Sequence, residues 1–111
     1  MDSAGGNHAM TAILELAADL RAQGYSVDLG ADVTGKSRVR HKVDLLATRT
    51  GDKAVVAMEG RPAASATYGI VALFAVAYDV GATAYYVATE KIAGEDLALA
   101  KSYHISVVEP A

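Results

Sequence analysis

The fold is decided by the stretch VDLLATRTGDKAVVAME (residues 43–59), in which two short apolar runs flank a polar turn. Both runs are rich in aliphatic and β-branched residues, and each has the length of a strand. Between them, Thr50-Gly51-Asp52-Lys53 has the composition of a tight turn. The stretch therefore predicts an antiparallel hairpin, and Pro62 ends it because proline cannot donate to a strand ladder.

The pairing register of this hairpin predicts which side chains lie together. If the turn centres on Gly51-Asp52, Asp44 pairs with Glu59, and their Cβ atoms are about 4.5–5.5 Å apart. Lys42 then pairs with Arg61 on the same face, because alternate residues of a strand share a face. A three-residue loop with a bulge would instead shift the register by one residue and separate the two acids.

Helical and strand patterns surround the hairpin. The predicted helices cover residues 10–23, 64–80 and 92–102; the predicted strands cover 25–29, 43–47, 54–58, 82–88 and 105–108; and a polar loop covers 30–41. The resulting order, α-β-β-β-α-β-α-β, predicts an α/β domain in which a mixed central sheet is flanked by helices on both faces.

The 111 residues correspond to one domain. Residues 1–9 (MDSAGGNHA) are small and polar, so we expect a disordered leader or a cloning remnant there and a single domain over 10–111. The absence of cysteine excludes disulfides and thiolate chemistry and fits a reducing cytoplasm. The longest apolar run, 70–78, is too short to span a bilayer. We therefore expect a cytoplasmic protein without a membrane partner.

A basic segment interrupts an otherwise acidic chain. Residues 36–42 (KSRVRHK) hold four Lys or Arg and no acid, and without those charges the net charge of −3 becomes −7. A basic patch on an acidic body can bind phosphate groups, and a solvated loop is the alternative interpretation. The expected nucleic-acid contacts are Lys36, Ser37, Arg38, Arg40 and His41.

The paired acids predict a metal site. Two close carboxylates repel each other unless a cation or a shared proton lies between them. Magnesium (Mg2+) binds one or two carboxylates, keeps several waters and binds substrate phosphate, where it can activate a water. The alternative is an exposed ladder of salt bridges among Lys42, Asp44, Glu59 and Arg61 that carries no chemistry.

Four stretches carry a family resemblance: LRAQGYSV (20–27), HKVDLLA (41–47), VVAMEGR (55–61) and AYDVGATAYYVAT (77–89). Together they resemble the restriction-endonuclease-like PD-(D/E)xK superfamily, in particular small archaeal nuclease domains of the Holliday-junction-resolvase and Mrr type. The α-β-β-β-α-β core of that superfamily matches the order predicted over residues 10–90.

The resemblance implies a metal-dependent DNA endonuclease. It assigns Asp44 and Glu59 as ligands of Mg2+ or Mn2+, with Glu15 of the first helix as an added acid. Arg61 stands where the family has lysine, and it stays charged and forked where lysine can shed its proton. Arg61 can still hold a phosphate, and Lys42 could replace the missing lysine. Equally, the domain could be a catalytically inactive module for dimerisation or nucleic-acid binding.

Two further patterns support other hypotheses. Gly30–Ser37 (GADVTGKS) matches the P-loop pattern G-x-x-x-x-G-K-[ST], but a P-loop needs a helix directly after it, and the predicted hairpin argues against one. The 64–80 helix is apolar nearly all round, so it lies either between layers or in a subunit contact. The second possibility predicts a homodimer.

Overall fold

The computed structural model describes residues 4–61 and 65–110, with side chains from residue 11 onward. Within these residues the elements are α1 (Ala4–Ala22), β1 (Ser26–Thr34), β2 (Arg40–Thr48), β3 (Val55–Glu59), α2 (Ala66–Val80), β4 (Thr83–Val87), α3 (Gly94–Ser102) and β5 (Ile105–Val108). The strands form one sheet in the order β1-β2-β3-β4-β5. The first three are mutually antiparallel, and β3, β4 and β5 are parallel. The predicted mixed sheet flanked by helices is confirmed.

The helices cover the sheet from both sides. Ile13 and Leu20 of α1 pack in one cluster with Leu45 of β2. Ile70 and Leu73 of α2 pack in a second cluster, to which α3 also contributes. This division follows from the sequence, because each helix buries the stripe on which its apolar residues recur every three or four positions.

The register of the hairpin differs from the predicted one by one residue. Leu45 pairs with Ala57, and Ala47 pairs with Val55. The turn explains the shift: Gly51 has a φ of 86° and adds an odd residue to the loop. A glycine in this left-handed conformation is typical of the bulged hairpin loops that move a register by one.

A second irregularity lies where Gly30 and Asp44 face each other on β1 and β2. The ladder pairs the residues on either side of them but skips this pair, and Gly30 has a φ of 61°. Val43 packs in the cluster beneath α2, whereas Leu45 packs in the cluster beneath α1. Residues two apart on a regular strand share a face, so β2 changes face at Asp44.

Several predicted boundaries are corrected by the structure. β1 and β2 include residues 30–34 and 40–41 of the predicted 30–41 loop. Helix α1 begins at Ala4, so residues 4–9 belong to it, and residues 1–3 lie outside the described part of the chain. No helix in that part is long and apolar enough to cross a membrane.

Helix α2 has an exposed apolar face. We call its four large exposed side chains, Tyr68, Val71, Phe74 and Tyr78, the α2 stripe. They recur at helical spacing and carry no charge, and Phe74 stacks on Tyr103 with ring centroids 4.2 Å apart. A stripe of this kind is a candidate contact surface, so the homodimer remains a prediction.

Candidate active site

The two predicted acids lie side by side, although the register that predicted this was wrong. The β2–β3 ladder ends at Leu45 and Ala57, one residue before Asp44. Beyond it, Asp44 Oδ2 accepts a hydrogen bond from the backbone N–H of Glu59 at 2.8 Å. Because β2 changes face at Asp44, the one-residue shift does not separate the acids. This side-chain bond takes the place of a ladder bond and holds the two strand ends together.

Arg61 lies between the two carboxylates. Its Nη2 is 3.7 Å from Asp44 Oδ1, and its Nη1 is 3.6 Å from Glu59 Oε1. Both distances are too long for hydrogen bonds but allow ion pairing. The Arg61 side chain is 57% exposed, so solvent weakens both pairs and leaves the guanidinium able to change partner.

The surroundings of Glu59 disfavour the ionised form of its carboxyl group. Burial raises the pKa of Glu59, and the neighbouring Asp44 carboxylate raises it further, while Arg61 acts in the opposite direction. Its Oε2 is buried and has no hydrogen-bond partner among the described residues. Buried carboxylate oxygens normally have such a partner, so among the described residues this atom has an unused capacity to accept a hydrogen bond or bind a cation.

The acids fit a hard divalent cation. Mg2+ prefers oxygen ligands and can be held by one or two carboxylates, with waters completing its shell. Asp44 and Glu59 supply two carboxylates, and Glu59 Oε2 has no partner in ranges 4–61 and 65–110. Glu15 is exposed on α1, and the described residues contain no group of three or more His, Asp or Glu that could hold a metal. The structure therefore does not bring Glu15 to the pair.

Lys42 does not lie opposite Arg61, and that predicted pairing is wrong. Its partner is Asp32 of β1, and it lies beyond the end of the β2–β3 ladder. In the described part of the chain, the ion pairs of both acids come from Arg61. Lys42 is exposed and adds positive charge to the surface of β2, and its replacement of the missing lysine stays a prediction.

Asp79, near the end of α2, anchors the basic segment (residues 36–42). The Ser37 backbone N–H donates to Oδ1 at 2.9 Å, the Ser37 hydroxyl donates to Oδ2 at 2.6 Å, and His41 Nε2 lies 2.7 Å from Oδ2. These hydrogen bonds, that of His41 first, lower the pKa of Asp79 to about 2. Ser37 and His41, both expected to contact nucleic acid, are thus engaged within the protein.

Lys36, Arg38 and Arg40 remain exposed on the basic segment. Asp79 follows Ala66 by thirteen residues, which places the segment about 20 Å along α2 from the helix end that adjoins Arg61. The P-loop hypothesis is not supported, because Ser37 is followed by strand β2 and not by a helix.

Comparisons with known proteins identify a fold. No protein-family model matches the sequence, and no curated protein is significantly similar to it. Among solved structures, the chain is similar to AF1548, a protein of unknown function, with a TM-score of 0.66 and 18% identity over 95% of this chain and 57% of that one. It is also similar to protein VC1899 from Vibrio cholerae, with a TM-score of 0.53 and 17% identity over 76% of this chain and 24% of that one. The chain thus spans little more than half of one neighbour and a quarter of the other.

Proposed function

We propose that this domain is a metal-dependent DNA endonuclease whose site is formed by Asp44, Glu59 and Arg61. The observation that carries the proposal is the meeting of two carboxylates from different strands, with Glu59 Oε2 buried and unpaired among the described residues. An ion-pair ladder with a purely structural role would satisfy that oxygen. The sequence resemblance to PD-(D/E)xK nucleases supports the same assignment.

In this proposal Asp44 and Glu59 hold Mg2+ or Mn2+, which when bound would supply an activated water and neutralise charge on the phosphate. Arg61 exchanges its two carboxylate partners for the phosphate, since a guanidinium fork fits phosphate oxygens. Its long contacts of 3.6 and 3.7 Å and its exposure favour that exchange. The hydrogen bond from the Glu59 N–H to Asp44 keeps the Asp44 carboxylate in place while Arg61 changes partner.

The exposed cations of the basic segment would contact the DNA backbone. Arg38 and Arg40 project from the β1–β2 hairpin, and Asp79, which anchors this hairpin, lies about 20 Å along α2 from the end that adjoins Arg61, which is roughly half a turn of B-DNA. Contacts of this kind release counterions. Each neutralised phosphate should therefore steepen the dependence of log K on log salt by about 0.9.

A second candidate function is DNA binding without catalysis. Arg61 favours it, because its guanidinium already lies beside both carboxylates, where it opposes the entry of a cation. Lysine at this position would leave more room and could reposition with a water. The two functions therefore differ in the expected effect of Arg61→Lys on DNA cleavage. The substitution should raise the cleavage rate of a weakly active nuclease, whereas a DNA-binding module should show no cleavage with either residue.

The test is cleavage of linear and branched DNA in Mg2+ or Mn2+ by the wild type, Asp44→Asn and Arg61→Lys. Asp52→Asn is the matched control, because Asp52 is an exposed acid that pairs with Arg49 in the hairpin turn. We expect cleavage to be lost in Asp44→Asn and unchanged in Asp52→Asn. Cleavage that survives Asp44→Asn would place the activity elsewhere. Binding without cleavage in every protein would leave the DNA-binding function as the correct one.

A further inference from the structure

A small apolar cavity adjoins the candidate active site. It has a volume of about 120 Å³ and lies between the end of β3 and the first turns of α2. Its lining includes the apolar side chains of Met58, Tyr68, Ala72 and Tyr86, and Glu59 and Arg61 belong to the same lining. An apolar recess that shares residues with a charged site can hold the apolar part of the molecule whose charged part the site binds.

Two glycines create the space for the inner wall. A Cβ atom at Gly60 would lie 2.6 Å from Tyr86 Oη, and one at Gly69 would lie 2.9 Å from the Tyr86 ring. Larger residues at either position would therefore displace Tyr86. Tyr86 is 4% exposed and forms a fixed wall, whereas Tyr68 is 70% exposed and lies at the rim.

The backbone of Tyr68 takes part in the cap of α2. Its backbone N–H donates to Oγ of Ser65, the residue that caps α2, at 3.1 Å. Capping fixes the first turn of a helix, so the tyrosine ring extends from a well-defined position. An exposed aromatic ring of this kind is the platform on which unpaired bases stack in proteins that bind single strands.

The size of the cavity limits what can enter. Protein cavities of about 150 Å³ hold a single benzene ring, so this cavity of about 120 Å³ can take the edge of one ring and not a whole base or a base pair. A base within a duplex would have to leave its stack to reach the cavity, which is unfavourable, and least so for a base that is already unpaired.

We propose that this cavity receives the edge of one unpaired base of the strand whose phosphate lies at Arg61, and that Tyr68 stacks on the exposed face of that base. The inference rests on the proposed function and adds a substrate class to it. The preferred DNA has unpaired nucleotides at the site of binding, as in a flap, a loop or a single strand. A continuous duplex would place a phosphate at Arg61 but leave the cavity empty.

The test compares two exposed tyrosines of the α2 stripe. Tyr78 is 77% exposed and lies ten residues after Tyr68, so Tyr78→Ala is a matched control for Tyr68→Ala. Affinities for a labelled single strand and for the same sequence as a duplex are measured by fluorescence anisotropy in EDTA, where no metal-dependent hydrolysis occurs. We expect Tyr68→Ala to weaken single-strand binding about ten-fold or more, with little change for the duplex. Tyr68→Phe should keep the wild-type affinity because it keeps the ring.

Other outcomes overturn the inference. Equal losses in Tyr68→Ala and Tyr78→Ala would assign the effect to the α2 stripe as a whole, and equal losses for single strand and duplex would exclude a base subsite. The same variants with Mg2+ separate this inference from the proposed function. If the wild type cleaves duplex and flap DNA equally and Tyr68→Ala changes neither rate, the subsite fails and the nuclease stands. If nothing is cleaved but Tyr68 still governs single-strand affinity, the nuclease fails and the subsite stands.

Discussion

Replacing Gly30 by alanine tests whether the change of face in β2 creates the candidate site. Gly30 has a φ of 61°, and a Cβ atom at this position would meet nothing within 4 Å. The substitution therefore introduces no steric clash, and its effect on stability is that of the backbone conformation alone. An alanine in the left-handed region is unfavourable by about 1–2 kcal/mol.

Part of that strain is offset in the unfolded chain, where alanine has fewer conformations to lose than glycine, by about 0.4–1 kcal/mol. We therefore expect Gly30→Ala to lower the free energy of unfolding by about 1 kcal/mol. For a domain of 111 residues the corresponding fall in melting temperature is about 4 °C. Gly30→Asn should fall less, because asparagine tolerates the left-handed region better.

Gly51→Ala is the matched control, since Gly51 has a φ of 86° and equally open surroundings. Urea denaturation should show similar losses of stability for the two variants. Cation affinity, measured by calorimetry, should fall for Gly30→Ala alone, because Gly30 faces Asp44, whereas Gly51→Ala keeps the length of the distant turn and therefore the strand register. If Gly30→Ala is as stable as the wild type, or if it binds Mn2+ as Gly51→Ala does, the change of face does not depend on Gly30 and the reasoning is wrong.

Three further predictions concern Asp79, Glu59 and the α2 stripe. The pKa of Asp79 is lowered to about 2, so the ionised carboxylate stabilises the fold fully above its ordinary pKa, and this stabilisation is lost as the pH falls through about 2. Asp79→Asn should lack the stabilisation at neutral pH, and faster proteolysis of residues 35–41 measures the loss. The pKa of Glu59 is raised, so its ionised form disfavours folding, and Glu59→Gln should unfold at a higher urea concentration than the wild type at pH 7. This difference should shrink as the pH falls through the raised pKa. Equal urea midpoints at pH 7 would contradict the assigned burial of Glu59. Val71→Asp should convert a dimer into a monomer in sedimentation at micromolar concentration, and a strictly monomeric wild type would exclude the homodimer.

Much of the fold could be predicted because its elements are local patterns. The final strand, 105–108, was predicted to the residue, and the order of all helices and strands follows from periodicity. β1 and β2 were predicted too short, because their outer halves, residues 30–34 and 40–42, hold only two apolar residues, Ala31 and Val33, among glycine and polar side chains. Such pairing depends on the partner strand and leaves little trace in composition.

The site was predicted correctly in part and for an incomplete reason. Asp44 and Glu59 meet because the odd residue at Gly51 and the change of face opposite Gly30 compensate for each other. The sequence does not show that either glycine has a positive φ. Register arithmetic from an idealised turn therefore predicted the contact between the two acids without including either feature. The anchoring of the basic segment by Asp79 joins residues 38 and 42 positions apart, which no local pattern could indicate.

The central claim is that Asp44 and Glu59 form a cation site. Titration calorimetry of Mn2+ into the wild type, Asp44→Asn, Glu59→Gln and the control Asp52→Asn tests it most directly. We expect one ion per chain in the wild type and in Asp52→Asn, and a loss of that binding in both site variants. A wild type that binds no Mn2+, or binding that survives both Asp44→Asn and Glu59→Gln, would contradict the account.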